Sequence, residues 1–527
     1  MRAQAISLAA VCLSSLLMSG CGGVNGGGGN SPAMPVITWT TPAAITYGTV
    51  LGATQLDAVA SVSGTFAYTP AAGAVLAAGS QILSVTFTPA NTTDYKTASA
   101  TVTLTVNQAV PVITWATPAA ITYGTVLGAT QLDATASVPG TFVYTPAAGG
   151  VLGVGSQTLA VAFTPADTTD YTTTTAKVTL MVNTAAPTIT ASSQNDAQNG
   201  AAIVSLSDMT PNALIYYTVD GTTPTASSQQ YQAPFLVASN LAVKATAIAA
   251  GNSSLVTSQI FSPNIPSGTL VWSDEFTNTS GAPAQPDPTV WTYDTGNTGF
   301  GNSELENYCA WGSSTSPCST TSPSEYVGTD GYLHIEAQQP SPGVYTSARL
   351  KTQGLFSFQY GRLEVRALVP EAQGFWPAAW LLGNNINNVN WPACGEQDVL
   401  ERVNAALSPD WNEGSVHGTG FTGGTGLGTQ YNFPSGQTAG GQFHTYGMIW
   451  SPGSVQYYID APSNVYATYT PSSLAPLNDG AVWPFDAGQS NFIILNLAIG
   501  GSWPGPPDSS TPFPSEMLVD YVRIYTN

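Results

Sequence analysis

Hydrophobic positions in this chain fall in short runs that alternate with polar ones. ITYGTVL, GTFAYTP and SVTFTPA each place apolar or aromatic residues at nearly every second position and end at Gly or Pro. A period of two marks half-buried strands, whereas no amphipathic helix of useful length appears. The expected fold class is all-β. TPAAITYGTVLGATQLDA occurs identically at Thr41–Ala58 and Thr117–Ala134, and Trp39 and Trp115 share the same offset of 76 residues. That length can bury a core of its own, so the pattern predicts two small β-sandwich domains, 34–108 and 109–184, and not a solenoid. A third sandwich is expected over 185–264, where Asp220-Gly221 sits between alternating segments as a hairpin signal. The Pro-rich stretch Ser262–Gly268 then leads into residues 265–527, read as one large sandwich, for which a jelly roll is the expected form.

The first residues, MRAQAISLAAVCLSSLLMSGCGG, have one basic residue and an apolar stretch too short to span a membrane. Residues 1–21 are read as an export signal. Met18-Ser19-Gly20-Cys21 resembles a bacterial lipobox, which implies acylation of Cys21 and a Gly-rich tether over 22–33. The expected location is the bacterial cell envelope as a lipoprotein, or the exterior, with the lipid as the sole membrane contact. Each repeat resembles bacterial immunoglobulin-like surface repeats, and the third module resembles the sandwich appended to chitobiases. Tyr216, Tyr217 and Tyr231 there read as core tyrosines rather than a sugar platform. The N-terminal sandwiches read as spacers.

Net charge narrows the partner. The chain of 527 residues carries 30 acidic and 10 basic side chains, a formal charge of −20. Nucleic acid is excluded by the lack of a cationic surface, and sulfated or uronic polymers are disfavoured for the same reason. A neutral polysaccharide is the electrostatically easy partner, met by a monomer. Among five cysteines, Cys309 and Cys318 are close enough for a local disulfide in an oxidising compartment, and Cys394 is left as a buried thiol. Zinc-ligand spacings are absent.

Candidate chemistry lies in WPACGEQDVLERVN, residues 391–404. Glu396 and Asp398 share one strand face, and Glu401 would point the other way. One extra residue near Val399–Leu400, a β-bulge, restores it to the same face. The two glutamates would then start roughly 13 Å apart along the backbone. Leaning side chains could close this towards the ~5–5.5 Å expected for the two carboxyls of a retaining glycosidase. The bland alternative is a solvated strand face. Trp376, Trp380 and Trp391, three of the chain's 12 tryptophans, argue for a cleft where flat rings stack on pyranoses.

These residues and their surroundings resemble glycoside hydrolase family 16, in its laminarinase-like branch. The likeness runs through VWSDEF (Val271–Phe276), FGNSELENY (Phe300–Tyr308), DGYLHIEA (Asp330–Ala337) and YTSARLKTQG (Tyr345–Gly354). It continues through YGRLEVRALVP (Tyr360–Pro370), SVHGTG (Ser415–Gly420), FHTYGMIW (Phe443–Trp450), LNLAIGGSWPG (Leu495–Gly505) and VDYVRIY (Val519–Tyr525). Gln397 departs from the aliphatic residue usual in the family. The resemblance implies a retaining endo-β-1,3-glucanase acting on laminarin-like or mixed-linked glucan. Glu396 would be the nucleophile, Glu401 the acid and then base, and Asp398 a hydrogen-bond partner orienting Glu396. It carries Asn302, Arg349, Trp376, Trp380, Trp391, His417 and Trp503 into the substrate cleft, with simple pairing to an acid as the alternative for Arg349. No cofactor is required by this chemistry; a structural calcium at Glu275, Gly331 and Asp520 is implied. An agarase or transglycosylase on the same fold, and a non-catalytic glucan-binding adhesin, are the competing readings.

Overall fold

The computed structural model describes residues 31–193, 196–403, 410–477, 480–486 and 488–527. The signal segment 1–21 with Cys21, and most of the tether 22–33, lie outside them. Among the described residues every regular element is a strand except the short helical turns Ile386–Val389, Gly423–Thr425 and Pro471–Leu474. The all-β expectation holds. Two compact units are present. One holds the chain up to Thr117 with Leu132–Ala147 and Leu159–Val178; the other holds the intervening pieces and Thr179–Asn527.

In the first copy of the repeat, Gly64–Thr69, Gly79–Pro89 and Ala98–Asn107 form an antiparallel sheet, extended by Ile45–Thr46 running parallel to the last strand. A two-stranded ribbon, Ile37–Thr38 with Val59–Ala60, makes the second layer. Alternation explains the packing: Leu83, Val85 and Phe87 are buried while Thr86 and Thr88 are exposed. The second copy has strands of matching length at Gly140–Thr145, Gly155–Pro165 and Thr174–Asn183.

The third module has a three-stranded and a five-stranded sheet around Val204, Tyr217, Phe235, Val243 and Ala245. Tyr217 is a core residue, stacked on Phe235 at 4.9 Å. The Asp220-Gly221 pair does not close a tight hairpin. Leu214–Thr218 pairs with Gln229–Gln230 only after a long connection. Asp220 instead accepts bonds from the backbone and hydroxyl of Thr222 at 3.0 and 2.6 Å, a local turn ahead of Pro224. This module is fused to the large domain. Leu236 N donates to Ser357 O at 2.9 Å, Ala197 bridges Trp272, and Ala201, Ile203 and Leu236 join the large core.

The large domain is a sandwich of two curved sheets. The outer one centres on Ser515–Tyr525, flanked by Gly361–Leu368, Leu333–Ser341 and Leu270–Asp274. The inner one contains β1 (Thr292–Asp294), β2 (Arg349–Lys351), β3 (Phe375–Gly383), β4 (Glu396–Glu401), β5 (Trp411–His417), β6 (Leu427–Asn432) and β7 (Asn491–Ile499), in the order β1-β2-β7-β3-β4-β5-β6. Leu381, Leu400, Val416, Ile493 and Leu495 point from this sheet into the core, against Val365, Met448, Tyr457, Val519 and Val522 of the outer one. The opposite face carries the cleft over β3, β4 and β5, whereas β7 is buried on both faces. Burying one face of each sheet is the dominant favourable term in such a sandwich.

Candidate active site

Strand β4 enters after Gly395, whose φ of +81° is open to glycine, and a Cβ there would meet Pro484 at 2.8 Å. Pairing with β3 then runs Leu382↔Glu396, Leu381↔Gln397, Trp380↔Asp398, Ala379↔Leu400 and Ala378↔Glu401, with a shift that leaves Val399 unpaired. This is the bulge expected between Val399 and Leu400. Val399 and Leu400 both enter the core, and Glu396, Asp398 and Glu401 all face the cleft. Gln397 points away from them, is fully buried, and accepts from Asn491 Nδ2 at 3.2 Å.

A bulge frees backbone groups from the ladder, and buried ones need partners. Asn412, fully buried on β5, supplies them. Its Oδ1 accepts from Glu401 N at 3.2 Å, and its Nδ2 donates to Val399 O at 3.2 Å and to Tyr466 Oη at 3.1 Å. Sequence reasoning missed this residue, because nothing local distinguishes it from a surface asparagine.

Each acid has its own partners. Glu396 Oε2 accepts from Trp391 Nε1 at 2.8 Å. Asp398 Oδ2 accepts from Ser415 Oγ at 2.5 Å and faces His417 Nε2 at 3.2 Å. Glu401 Oε1 accepts from Trp376 Nε1 at 3.2 Å. The expectation that Asp398 hydrogen-bonds Glu396 is corrected: its bonds go to β5, and His417 links the two acids, lying 3.8 Å from Glu396 Oε1. The cause is register. Glu396 pairs with His417 and Asp398 with Ser415 across the strands, which sets these four side chains side by side on one face.

Burial pushes the Glu396 carboxyl up to about 8; the Asp398 charge adds to this, and His417 and the Trp391 N–H oppose it. Glu401 is raised well above the carboxylate range, first by burial and then by the charges of Asp398 and Glu396. For His417 burial acts downward, but the hydrogen bond to Asp398 and the three carboxylates outweigh it and raise the imidazole to about 9. Like charges sharing a water-poor site oppose joint ionisation, and the site answers by holding protons on His417 and Glu401.

The aromatic rim follows. Trp391 and Trp503 are exposed by 49% and 43%, large values for tryptophan beside acids that are themselves largely covered. Trp503 meets Trp376 edge-on at 5.4 Å and lies 5.9 Å from Trp411. Trp411 was not among the sequence candidates, although it shares the β5 face with Ser415 and His417 at every second position. Trp380 donates to Asn496 Oδ1 at 2.8 Å, with Arg349 above its ring at 4.7 Å. Arg349 is ion-paired with Asp294 at 3.0 Å, the alternative considered for it, and so supports Trp380. Asn302 holds the Trp503 loop through its carbonyl, which accepts from Ser502 N at 2.7 Å; its side chain goes to Glu304 at 3.3 Å. Cys309 and Cys318 are disulfide-bonded; Cys394 is a buried free thiol, not behind the catalytic strand as expected but packed with Leu382, Phe492 and Ile494, which share the face of Glu396 and Asp398.

The donor set at Glu275, Gly331 and Asp520 does not fit a calcium ion. Both oxygens of Glu275 accept from Arg523, at 2.8 and 2.7 Å, and Asp520 is paired with Arg366. Guanidinium groups already neutralise these acids, which leaves chiefly the three backbone carbonyls, short of the six to eight oxygens calcium takes. Among the described residues, ligand atoms of Glu396, Asp398 and His417 lie within 4.8 Å of one another, and these are the cleft groups already paired with one another and with Ser415 and Trp391.

Two partly buried glutamates on one cleft face, an intervening buried aspartate and a tryptophan rim are the apparatus of a glycosidase. Residues 314–514 match the model of glycosyl hydrolases family 16, and residues 194–258 that of the chitobiase/beta-hexosaminidase C-terminal domain. A beta-glucanase of Rhodothermus marinus is 38% identical over 272 residues, covering 50% of this chain and 87% of that protein. Glucan endo-1,3-beta-glucosidase A1 of Niallia circulans is 33% identical over 289 residues, covering 50% of this chain and 38% of its own length. The laminarinase catalytic domain of Thermotoga maritima is 37% identical, with a TM-score of 0.43, covering 50% of this chain and 99% of that one. The chain belongs to glycosyl hydrolase family 16 and is a glycoside hydrolase.

Proposed function

We propose that the protein is a retaining endo-β-1,3-glucanase acting on laminarin-like or mixed-linked glucan. The observation that carries this reading is the bulged strand β4, which turns Glu396 and Glu401 onto one face with Asp398 and His417 between them. The names of the relatives from Rhodothermus and Niallia support the substrate class. In the first step Glu396 attacks the anomeric carbon while Glu401 gives its proton to the departing glycosidic oxygen. In the second, Glu401 takes a proton from water, whose oxygen displaces Glu396 from the glycosyl–enzyme ester. The stronger upward push on Glu401 fits the acid, and the nearness of His417 to Glu396 favours its ionised form. Export and anchoring through Cys21 belong to the same proposal and rest on the lipobox-like sequence. A monomer meeting a neutral polymer is its simplest form.

Reducing-sugar release from laminarin, lichenan, agarose and xyloglucan tests the specificity. Laminarin is expected to be cleaved fastest, and the fresh product is expected to show the β-anomer by proton NMR. An initial α-anomer would remove retention. Release from agarose or xyloglucan alone would move the enzyme to another specificity.

A further inference from the structure

Along β5, Asn412, Gly414 and Val416 turn inward, while Trp411, Glu413 and His417 alternate onto the cleft side and keep partial exposure. The cleft face does not end with this strand. β6 pairs with β5 in unbroken register, with Trp411↔Asn432, Glu413↔Gln430 and Ser415↔Gly428 opposite one another. Gly428, Gln430 and Asn432 are exposed, whereas Leu427 and Tyr431 on the other face of β6 pack against the core. β6 ends the inner sheet in this direction. The result is an open polar shelf beside the acids. Trp411 bounds it, with its ring 5.9 Å from that of Trp503.

Gln430 Nε2 donates to Glu413 Oε2 at 3.2 Å, so a carboxylate and an amide are presented together. A Cβ on Gly428 would collide with Glu413 Oε1; the glycine leaves the room in which the carboxylate lies out over β6. A carboxylate beside an amide offers acceptors and donors to the hydroxyls of a neutral sugar. The indole next to them offers a flat apolar surface. Position assigns the role. Glu401 Oε1 accepts from Trp376 Nε1 of β3, which leaves Oε2 to carry the acid proton. The flank of β4 away from Trp376 is made by β5 and β6. Glu413 lies near enough to Glu401 on that flank for its charge to act on the acid.

We propose that Glu413 and Gln430, with Trp411 as a stacking wall, form the subsite for the glucosyl residue on the leaving-group side of the scissile bond. The subsite rests on the retaining β-glucanase reading above. It is tested on the full chain with two substrates, laminaritetraose and para-nitrophenyl β-laminaribioside, whose leaving group carries no sugar hydroxyls. On laminaritetraose, Gln430→Ala is expected to lower kcat/KM about three- to tenfold, the worth of one neutral hydrogen bond, and Glu413→Ala about tenfold or more, that of a charged one. On the aryl substrate, Gln430→Ala leaves every charge in place and is expected to keep the rate within about twofold, below the worth of one such bond. The ratio of the two rates is the readout, so a partly unfolded sample does not imitate the effect. Equal losses on both substrates, or none on either, overturn the subsite and leave the hydrolase reading intact. Cleavage of neither substrate by the unaltered chain overturns that reading, and the leaving-group role with it.

Discussion

Acidic side chains on the outer sheet and those on the catalytic strand meet different sets of partners. On the outer sheet three acids meet a guanidinium, Glu275 with Arg523, Asp520 with Arg366 and Glu364 with Arg362, while Asp274 takes the Trp291 N–H and Glu516 faces His334. On the cleft face Glu396, Asp398 and Glu401 meet one imidazole and two indole N–H groups. Arginine is not far away. Arg402 directly follows Glu401, yet it turns into the interior and is taken by Asp410 at 2.9 Å. The Arg523 guanidinium holds the Glu275 carboxyl below its ordinary range, whereas burial and neighbouring negative charge raise Glu396 and Glu401. Perturbed groups gathered in a cleft are the physical mark of function.

Replacing Glu396 by Gln is the harshest way to break this contrast. Turnover is expected to fall by about 10⁴-fold or more, while Tm rises because a partly buried acid crowded by Asp398 is gone. A chain that retains near-normal rate would remove Glu396 as nucleophile. Glu401→Ala is expected to lose much less on substrates with activated leaving groups, and azide should restore part of the loss; measurement of the glycosyl azide formed checks it.

Asn412→Ala acts one layer below the acids. Glu401 N and Val399 O lose their partner at the bulge, which is expected to lower stability by about 1–3 kcal/mol and kcat by a further margin as Glu401 shifts. Chemical denaturation and kcat together read this out, and a full rate with lost stability would confine Asn412 to folding.

His417→Ala sharpens the electrostatic half of the comparison. Glu396 must be ionised, so activity rises with pH towards its value of about 8 and falls where Glu401 gives up its proton. Removing the imidazolium withdraws a downward influence on Glu396. The acidic limb of kcat/KM should therefore move to higher pH, and an unmoved limb would show that His417 does not tune it.

The smallest effect belongs to the outer sheet. Arg523→Ala breaks a partly exposed pair and is expected to change stability by less than about 1 kcal/mol, with activity intact. Chelation with EDTA should leave the Tm of the unaltered chain in place, since arginines occupy the acids that calcium would need; a fall in Tm restored by calcium would reverse that conclusion.

Local pattern made the catalytic strand legible. Three acids in E-Q-D-V-L-E share a face only if one residue bulges, and the strand bulges at Val399. Ser415 and Asn412 were not legible, and His417 was reached only through the family resemblance, because all three are placed by the register of β5, a long-range pairing. The arginines at Glu275 and Asp520 were equally hidden: Arg523 is close in sequence to Asp520 but spans to Glu275, and Asp520 takes Arg366 from another strand. The hairpin expected at Asp220-Gly221 failed because Pro224 interrupts the second strand and the side chain of Asp220 makes its own turn.

Ala201, Ile203 and Leu236 of the appended module lie in one continuous core with Val271 and Trp272 of the hydrolase. A cut at the Pro-rich boundary would strip an apolar flank from the enzyme and leave its first strand with an open edge. Recombination during evolution would therefore be expected to transmit these two pieces as one heritable block, and the sandwiches before them as the exchangeable parts.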